Sequence, residues 1–154
     1  MSMKRTALVI VGLLALASIA AVAQRPASPV VEVYKSATCG CCANWVKHLE
    51  AAGFRARVTE LDDDALAAFK TKRQIPKPAQ SCHTAVVDGY LVEGHVPAAD
   101  LQKLLKERPK VAGIAVPGMP IGSPGMEVQG MKPQPFDVVS FDAKGTTAVF
   151  ASHR

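Results

Sequence analysis

Three cysteines stand within four residues, Cys39, Cys41 and Cys42, and this cluster constrains the chain more than any other feature. A disulfide needs two Cα atoms roughly 4.4–6.8 Å apart and a defined dihedral angle, so three sulfurs this close cannot all be ordinary crosslinks. Two structural disulfides among the four cysteines of the chain would be usual in an exported protein. The spacing argues against that interpretation and favours a cluster with chemistry of its own.

The cluster lies between a predicted strand and a predicted helix. Residues 30–34 form a short β-branched run, which is typical of a strand. Trp45, Val46 and Leu49 recur at helical spacing, and Gly53 follows where a C-cap glycine belongs. The cysteines are therefore expected at a helix N-terminus, where free N–H groups and the helix dipole lower the pKa of a thiol and favour the thiolate.

Thiolates at this position indicate a soft metal. Thiolate and thioether ligands select Cu(I), whereas zinc normally takes four ligands around one tetrahedral ion. Three thiolates in four residues are difficult to fold around a single ion, but sulfurs can bridge neighbouring ions. Cys82 offers a fourth sulfur and His83 an imidazole beside it. The predicted site is a small cluster of copper ions bridged by cysteine sulfurs.

The chain up to residue 110 is predicted to follow the order β, α, β, α, β, β, α. Each strand is a short apolar or alternating run, and each helix carries apolar residues three and four apart. Asp88-Gly89 suits a type I′ hairpin turn, and the aspartates at 62–64 are expected to cap a helix instead of binding metal. The predicted elements are strands at 30–34, 55–61, 84–87 and 90–92 and helices beginning near residues 43, 62 and 97.

The composition changes after residue 110. Residues 113–135 hold five glycines, five prolines and three methionines, and alternating runs at 136–141 and 146–151 then indicate a second hairpin. A Pro-Gly-Met unit ends at Met119 and again at Met126. Two interpretations stay open and can both hold: the methionines supply thioether ligands, or the segment is an apolar flap that covers the domain.

The four histidines are not equally placed. His83 is the best candidate ligand because it adjoins Cys82. His95 should lie across from His83 or diagonal to it on the paired strand, and a surface histidine is an equal alternative. His48 lies too far along the first helix to reach its N-terminus, which favours a surface or capping role. His153 is set aside because it lies near a terminus that is expected to fray.

The first 23 residues read as an export signal. Lys4 and Arg5 are followed by an uncharged run and then by the small-x-small sequence at 21–23. The alternative is an uncleaved membrane anchor, since the apolar run is only slightly shorter than the roughly 20 residues that span a bilayer. The lack of a charged stop-transfer sequence favours cleavage, which predicts a periplasmic protein without a membrane segment.

One domain with an extension is expected after the signal. We predict a linker at 24–29, an α/β domain at 30–110 and an extension at 111–154 that contributes to the metal site. The formal net charge of +5 comes with no basic run and no interleaved aromatic residues, so nucleic acid is not an expected partner.

The order of elements resembles the thioredoxin fold, a mixed sheet flanked by helices. Cys39 and Cys42 then stand at the two positions of the C-x-x-C pair of that family, and Cys41 is an additional thiol between them. In the same comparison His83 replaces the cis-proline that packs against the active cysteines. The thioredoxin-like domain would be followed here by a Gly/Pro/Met-rich extension ending in a β-hairpin.

Four motifs together resemble the exported copper-resistance proteins called CopG. The resemblance implies a thioredoxin domain whose extension helps to bind a cysteine-bridged copper cluster, and an oxidoreductase role that interconverts Cu(I) and Cu(II) for detoxification and efflux. Periplasmic efflux or chaperone proteins would be the partners. The motifs are the cysteine cluster at 39–45, the Cys-His pair at 81–85, the segment at 92–98 and the methionine segment at 116–127.

The leading hypothesis is copper binding, with Cys39 and Cys42 as the redox pair. The proposed ligands are Cys39, Cys41, Cys42, Cys82, His83, Met119 and Met126. A first rival is a thiol–disulfide oxidoreductase acting on protein substrates, although two additional thiols beside the active pair would invite scrambling. A second rival is a passive copper chaperone or buffer with the same ligands and no redox role.

Overall fold

The computed structural model describes residues 29–154, so the predicted signal at 1–23 and nearly all of the predicted linker lie outside the described residues. Seven strands and three α-helices are present in this range, together with a short 3-10 turn at Lys77–Ala79. The strands are β1 Val30–Ser36, β2 Arg55–Leu61, β3 Thr84–Val87, β4 Tyr90–Glu93, β5 Gly113–Ala115, β6 Phe136–Phe141 and β7 Thr147–His153. The helices are α1 Gly40–Ala51, α2 Asp63–Lys72 and α3 Ala98–Glu107.

All seven strands belong to one mixed sheet in the order β2-β1-β3-β4-β5-β6-β7. β1 pairs with β2 in parallel and with β3 antiparallel, so the strand that leads into the cysteines lies inside the sheet. None of the three helices in residues 29–154 has the length and hydropathy of a membrane span. The predicted α/β class, with a mixed sheet flanked by helices, is confirmed.

The predicted order of elements is also confirmed, and so is the second hairpin. The structure adds one strand that the pattern did not reveal: β5 pairs in parallel with β4 and antiparallel with β6. Three residues are too few to show an alternating pattern, and β5 begins at a glycine. A Cβ at Gly113 would overlap the carbonyl of Leu91, so the close approach of the two strands requires glycine there.

The larger of the two core clusters in residues 29–154 joins the first and last parts of the chain. Trp45 of α1 is fully buried, and its indole nitrogen donates to the carbonyl of Val96 at 2.8 Å. Ile114, Val116 and Val138 are equally buried and belong to the same core cluster. Each such aliphatic side chain contributes about 1.5–3 kcal/mol when it is buried. The C-terminal segment is therefore part of the core.

The N-termini of α1 and α2 differ in how they are capped. Asp62 accepts a hydrogen bond from the backbone of Ala65 at 2.7 Å, which confirms that the acidic triplet caps α2. α1 begins at Gly40, three residues before the predicted start, and Cys39 at its N-cap makes no side-chain capping bond. The first turn of α1 therefore contains cysteines and leaves N–H groups without a side-chain cap.

Candidate metal centre

Three of the four cysteines surround the N-terminus of α1. Cys39 is the N-cap residue, while Cys41 and Cys42 lie in the first turn. Cys42 is fully buried and the other two are half-buried. The sulfurs of Cys39 and Cys41 are 3.4 Å apart. The predicted placement at a helix N-terminus is thus confirmed.

Cys39 and Cys42 form a disulfide, whereas Cys41 and Cys82 are free thiols. This arrangement differs from the expected set of four thiolates and also from the alternative of two disulfides. A separation of three residues at the start of a helix brings the two Cα atoms to 5.4 Å, which is within the usual range for a disulfide. Cys41 stays unpaired, although its sulfur lies close to that of Cys39.

Cys82 joins this group from the loop that precedes β3. Because β3 pairs with β1, the end of that loop lies beside the start of α1. The sulfur atoms of all four cysteines lie within 4.8 Å of one another. Sequence reasoning expected all four to meet at one site, and the sheet topology supplies the reason.

A second potential ligand group shares Cys82 with the first. The sulfur of Cys82 is 3.1 Å from Nε2 of His95 and 3.3 Å from Nδ1 of His83. Thr84 pairs with Glu93, so continuing the β3–β4 register places His95 opposite Cys82 and diagonal to His83. The diagonal position predicted for His95 is confirmed. The alternative of a surface histidine is wrong, because His95 is fully buried.

Both buried histidines are held in the neutral form. Burial lowers the pKa of His83 well below its usual value, and the nearby His95 and Lys70 lower it further. Burial also lowers the pKa of His95, whose Nδ1 lies 2.8 Å from the carbonyl oxygen of Pro124. Since that carbonyl can only accept, Nδ1 of His95 donates to it. This leaves the Nε2 lone pair facing Cys82.

One buried atom of His83 has no partner. Its Nε2 is completely buried and makes no hydrogen bond, although the ring packs against Trp45 with centroids 4.3 Å apart. An unpaired buried polar atom costs about 1–3 kcal/mol. The other nitrogen of the ring, Nδ1, is the one that faces the sulfur of Cys82.

The free thiol of Cys82 is protonated at neutral pH. Burial raises the pKa of Cys82 to about 11, and the proximity of Cys41 adds to the shift. The low thiol pKa values expected from the helix dipole therefore do not extend to Cys82, which lies on a loop and not at the helix N-terminus. A metal cation that binds this sulfur must displace its proton.

A strap formed by residues 117–127 covers the cysteine end of the fold. The carbonyl of Gly118 accepts a hydrogen bond from Ser81 Oγ at 2.5 Å. At Gly125 a Cβ would lie 2.7 Å from the carbonyl oxygen of Cys41 and from the backbone nitrogen of Trp45. Each Pro-Gly-Met unit therefore contacts the cysteine region through its glycine.

The structure places the two candidate methionines differently. Met126 is half-buried beside Gly125, and so lies next to the segment that packs on α1. Met119 has 52% of its surface exposed, and Met131 has 53%. An inward-facing Met119 was one expectation, yet about half of this side chain lies in solvent. Met126 is the better placed of the pair.

The remaining histidines have structural roles. His48 accepts a hydrogen bond from the backbone nitrogen of Ala98 at 3.0 Å, which satisfies the first residue of α3 and confirms the capping interpretation. The expected fraying at His153 is wrong. This residue pairs with Phe136 in the sheet, and its Nε2 is 2.7 Å from a carboxylate oxygen of Asp100.

Two buried charges near the site were missed by the sequence reasoning. Lys70 of α2 and Glu93 of β4 form an ion pair with 7% and 0% of their side chains exposed. Glu93 lies within one of the motifs noted above, but no pattern distinguishes a buried glutamate from an exposed one.

The chain is similar to a known family and to solved structures of copper resistance proteins. The family model described as "Protein of unknown function, DUF411" matches residues 79–126. A solved structure of copper resistance protein CopG, form 2, has 45% sequence identity and a TM-score of 0.75, and the match covers 82% of this chain and 99% of that one. For form 1 the identity is 46% and the TM-score 0.73, with coverages of 80% and 96%. No curated protein sequence matches significantly.

The fold and the site define an α/β protein with four cysteines and two buried histidines gathered at the N-terminus of one helix. The similarity to the two solved structures extends over nearly their whole length. The chain belongs to the CopG family of copper resistance proteins.

Proposed function

We propose that this protein binds copper in copper resistance, holding it as a cysteine-bridged cluster on Cys39, Cys41, Cys42 and Cys82. The observation that carries the proposal is the convergence of four sulfurs within 4.8 Å, on a fold shared with proteins named for copper resistance. Soft sulfur ligands at this density favour Cu(I) over harder ions.

Imidazole and thioether groups complete the proposed ligand set. His83, whose Nδ1 lies 3.3 Å from the sulfur of Cys82, and His95, whose Nε2 lies 3.1 Å from it, each present a ring nitrogen to the sulfur group. Imidazole suits both copper oxidation states, and sulfur suits Cu(I). Met126, and Met119 after a turn inward, would supply thioether sulfur from the strap.

Copper is also the proposed redox substrate. Cys39 and Cys42 in the dithiol form release two electrons and two protons when their disulfide closes, which reduces two Cu(II) ions to two Cu(I) ions. The disulfide form supports this reaction, because Cys41 and Cys82 remain free beside it to retain the product. An external thiol reductant would reopen the pair.

The proposed location is the periplasm, after removal of residues 1–23. Copper ions would pass from the site to a periplasmic efflux or chaperone protein. Residues 111–154 contribute to the site in this proposal, which agrees with the contacts of Gly118 and Gly125 to the cysteine region.

A thiol–disulfide oxidoreductase is the second candidate function. The closed Cys39–Cys42 disulfide with a half-buried Cys39 favours it. Free Cys41 only 3.4 Å from Cys39 counts against it, because an internal thiol at that distance competes with any client. A passive copper carrier differs from the main proposal only in lacking the electron transfer.

Copper loading of the reduced protein tests the binding proposal. We expect more than one Cu(I) per chain, measured by elemental analysis after gel filtration, and at least a halving of that number in Cys41→Ser/Cys82→Ser. Met126→Leu should weaken binding, whereas Met131→Leu is the matched control for a methionine of the same segment. An unchanged copper content in the double cysteine variant would sink the proposal.

A separate arm tests the electron transfer. Anaerobic reduced protein mixed with Cu(II) should yield about two Cu(I) per chain, read with a Cu(I)-specific chromophore, and Cys39→Ser/Cys42→Ser should lose this yield. Equal Cu(I) yields in the parent and the variant would contradict electron transfer from this pair and would favour a passive copper carrier. Rapid reduction of insulin by metal-free protein would instead favour the thiol–disulfide oxidoreductase.

A further inference from the structure

A buried ion pair lies directly beneath the loop that carries Cys82. Lys70 Nζ contacts a carboxylate oxygen of Glu93 and donates to Thr84 Oγ1 at 3.0 Å. Both charged residues are buried, with 6% and 0% of their surfaces exposed. α2 thereby connects to β3 and β4 through a charged pair, in addition to the stacking of its Phe69 on Tyr34 of β1.

A buried ion pair adds little net stability to the contact between two elements. The cost of removing two charges from water often exceeds their mutual attraction, and well-packed apolar residues in the same place are commonly neutral or stabilising. Fold stability alone therefore gives a weak reason for Lys70 and Glu93. The remaining contacts of the carboxylate indicate another role.

Glu93 binds the chain on both sides of the Cys82-His83 pair. One of its oxygens accepts the backbone N–H of Ser81 at 2.7 Å, and the other accepts the hydroxyl of Thr84 at 2.6 Å. Residues 81 and 84 bracket the two candidate ligands. A single carboxylate thus holds both ends of the four-residue stretch, and Lys70 holds the carboxylate.

Ser81 is confined from two further directions. Its hydroxyl donates to the carbonyl of Gly118 in the strap. Gly94 faces it, and a Cβ there would lie 2.5 Å from Ser81 Oγ and 2.7 Å from the carbonyl oxygen of Val116. Ser81 therefore has little room to move while its N–H remains bonded to Glu93.

We propose that Glu93, held by Lys70, is a positioning residue that places Cys82 and His83 between the cysteine cluster and His95. The carboxylate acts through the backbone N–H of Ser81 and the hydroxyl of Thr84. The placement itself is a property of the metal-free protein. Its consequence for copper rests on the proposed function above.

Two matched double variants separate positioning from charge. Lys70→Met/Glu93→Leu removes both charges and every acceptor for the Ser81 N–H. Lys70→Met/Glu93→Gln also removes both charges, but its amide oxygen can still accept from Ser81 and its amide nitrogen can donate to Thr84. Any difference between the two variants reports the hydrogen bonds and not the ion pair.

The first readout is the reactivity of Cys82 in metal-free, oxidised protein carrying Cys41→Ser, in which Cys82 is the remaining free thiol among the described residues. We expect iodoacetamide to modify Cys82 about tenfold faster in the leucine variant, the effect of losing one charge-assisted hydrogen bond. The glutamine variant should stay within about threefold of its parent. Equal rates in the two variants would overturn the positioning role.

The second readout is the affinity for Cu(I) in chains with all four cysteines, measured by competition with a chromophoric chelator. We expect affinity to fall about tenfold in the leucine variant and to be largely restored in the glutamine variant. If the parent protein binds no copper, the proposed function fails, and the alkylation rates still decide the positioning role.

Hydrogen exchange of the Ser81 amide in the unaltered protein covers the case in which the leucine variant does not fold. Ser81 lies outside every strand and helix of residues 29–154, and its N–H donates to Glu93 instead of to a backbone carbonyl. Slow exchange by NMR is the expected result. Exchange at the rate of an unstructured peptide would overturn the proposal.

Discussion

Cys82 is the residue on which the two ligand groups depend. Its sulfur belongs both to the group of four cysteines and to the group with His83 and His95. It is also a protonated thiol in the metal-free protein, because burial raises its pKa to about 11. The ligands available to a metal at Cys82 therefore depend on the atoms that its half-buried sulfur faces. These atoms come from three segments of the chain: the cysteine turn of α1, the Cys82-His83 loop and the end of β4.

His48 gives a prediction for the stability of the metal-free protein against pH. Burial lowers the pKa of His48 below 6.5, and the neutral ring accepts the N–H of Ala98. As pH falls below about 6.5, the unfolded chain takes up a proton that the folded ring resists, so the contribution of His48 is full above that pH and is lost below it. We expect Tm to fall less between about pH 7.5 and 5.5 in His48→Gln than in the parent.

Differential scanning calorimetry of the two metal-free proteins across this range measures the effect. The glutamine amide oxygen can still accept from Ala98, so the variant keeps the cap and loses only the titration. Parallel curves for parent and variant would contradict the assignment.

At the scale of elements, the strap and α1 meet through backbone atoms. Gly125 has φ +86° and lies against the carbonyl oxygen of Cys41 and the nitrogen of Trp45. This contact needs a residue without a Cβ, for reasons of both space and backbone conformation. Glycine at this position lets the strap lie directly on the cysteine turn.

Gly125→Ala should destabilise the protein more than an alanine at an open glycine. We expect a loss of about 2–4 kcal/mol from the combined clash and strain, measured by urea unfolding. Gly130→Ala is the matched control: its φ is +81° and a Cβ there meets nothing within 4 Å. Its cost should be about 1 kcal/mol. Equal costs would show that the strap does not rest on α1 in solution.

At the scale of the whole molecule, one sheet spans the chain from residue 30 to residue 153, and the larger core cluster holds side chains from Val31 to Val138. β5 links the thioredoxin-like region proposed at 30–110 to the final hairpin through pairing with β4 and β6. The boundary near residue 110 is therefore a change of composition within a continuous sheet.

A chain that ends at residue 110 should not fold cooperatively. It loses Ile114, Val116 and Val138, all fully buried, at about 1.5–3 kcal/mol each, against a typical total stability of about 5–15 kcal/mol. It also leaves β4 as an open edge. Far-UV circular dichroism with urea titration compares residues 24–110 with residues 24–154. A sharp transition in the shorter chain would mean that 30–110 folds alone.

Much of the fold was predictable because the spacing of apolar residues along the chain indicates which face of each strand or helix is buried. The strand, helix and hairpin patterns up to residue 110 are local, and Asp62 and Gly53 mark ends through bonds to near neighbours. β5 was missed because its three residues carry no period, and its partners are β4 and β6. Pairing of that kind is invisible to a local pattern.

Some features of the candidate site were likewise predictable from local sequence, and others depend on distant contacts. Clustering of Cys39, Cys41 and Cys42 follows from adjacency in the chain, and the diagonal place of His95 follows from counting along a hairpin. The prediction that His153 lies in a frayed terminus was wrong, because its strand pairing and its bond to Asp100 join residues far apart in the chain. The disulfide between Cys39 and Cys42 was one option among several until the helix start at Gly40 set their separation.

By itself the sequence determined the class of fold, the helix that carries the cysteines and the residue types at the site, because each depends on local spacing and side-chain chemistry. The tertiary structure decided which sulfur stays free, how the strap lies on α1 and how Lys70 and Glu93 hold the loop of Cys82. These features depend on contacts between segments far apart in the chain. Their geometry is set by the packing of the whole sheet and not by any one stretch of residues.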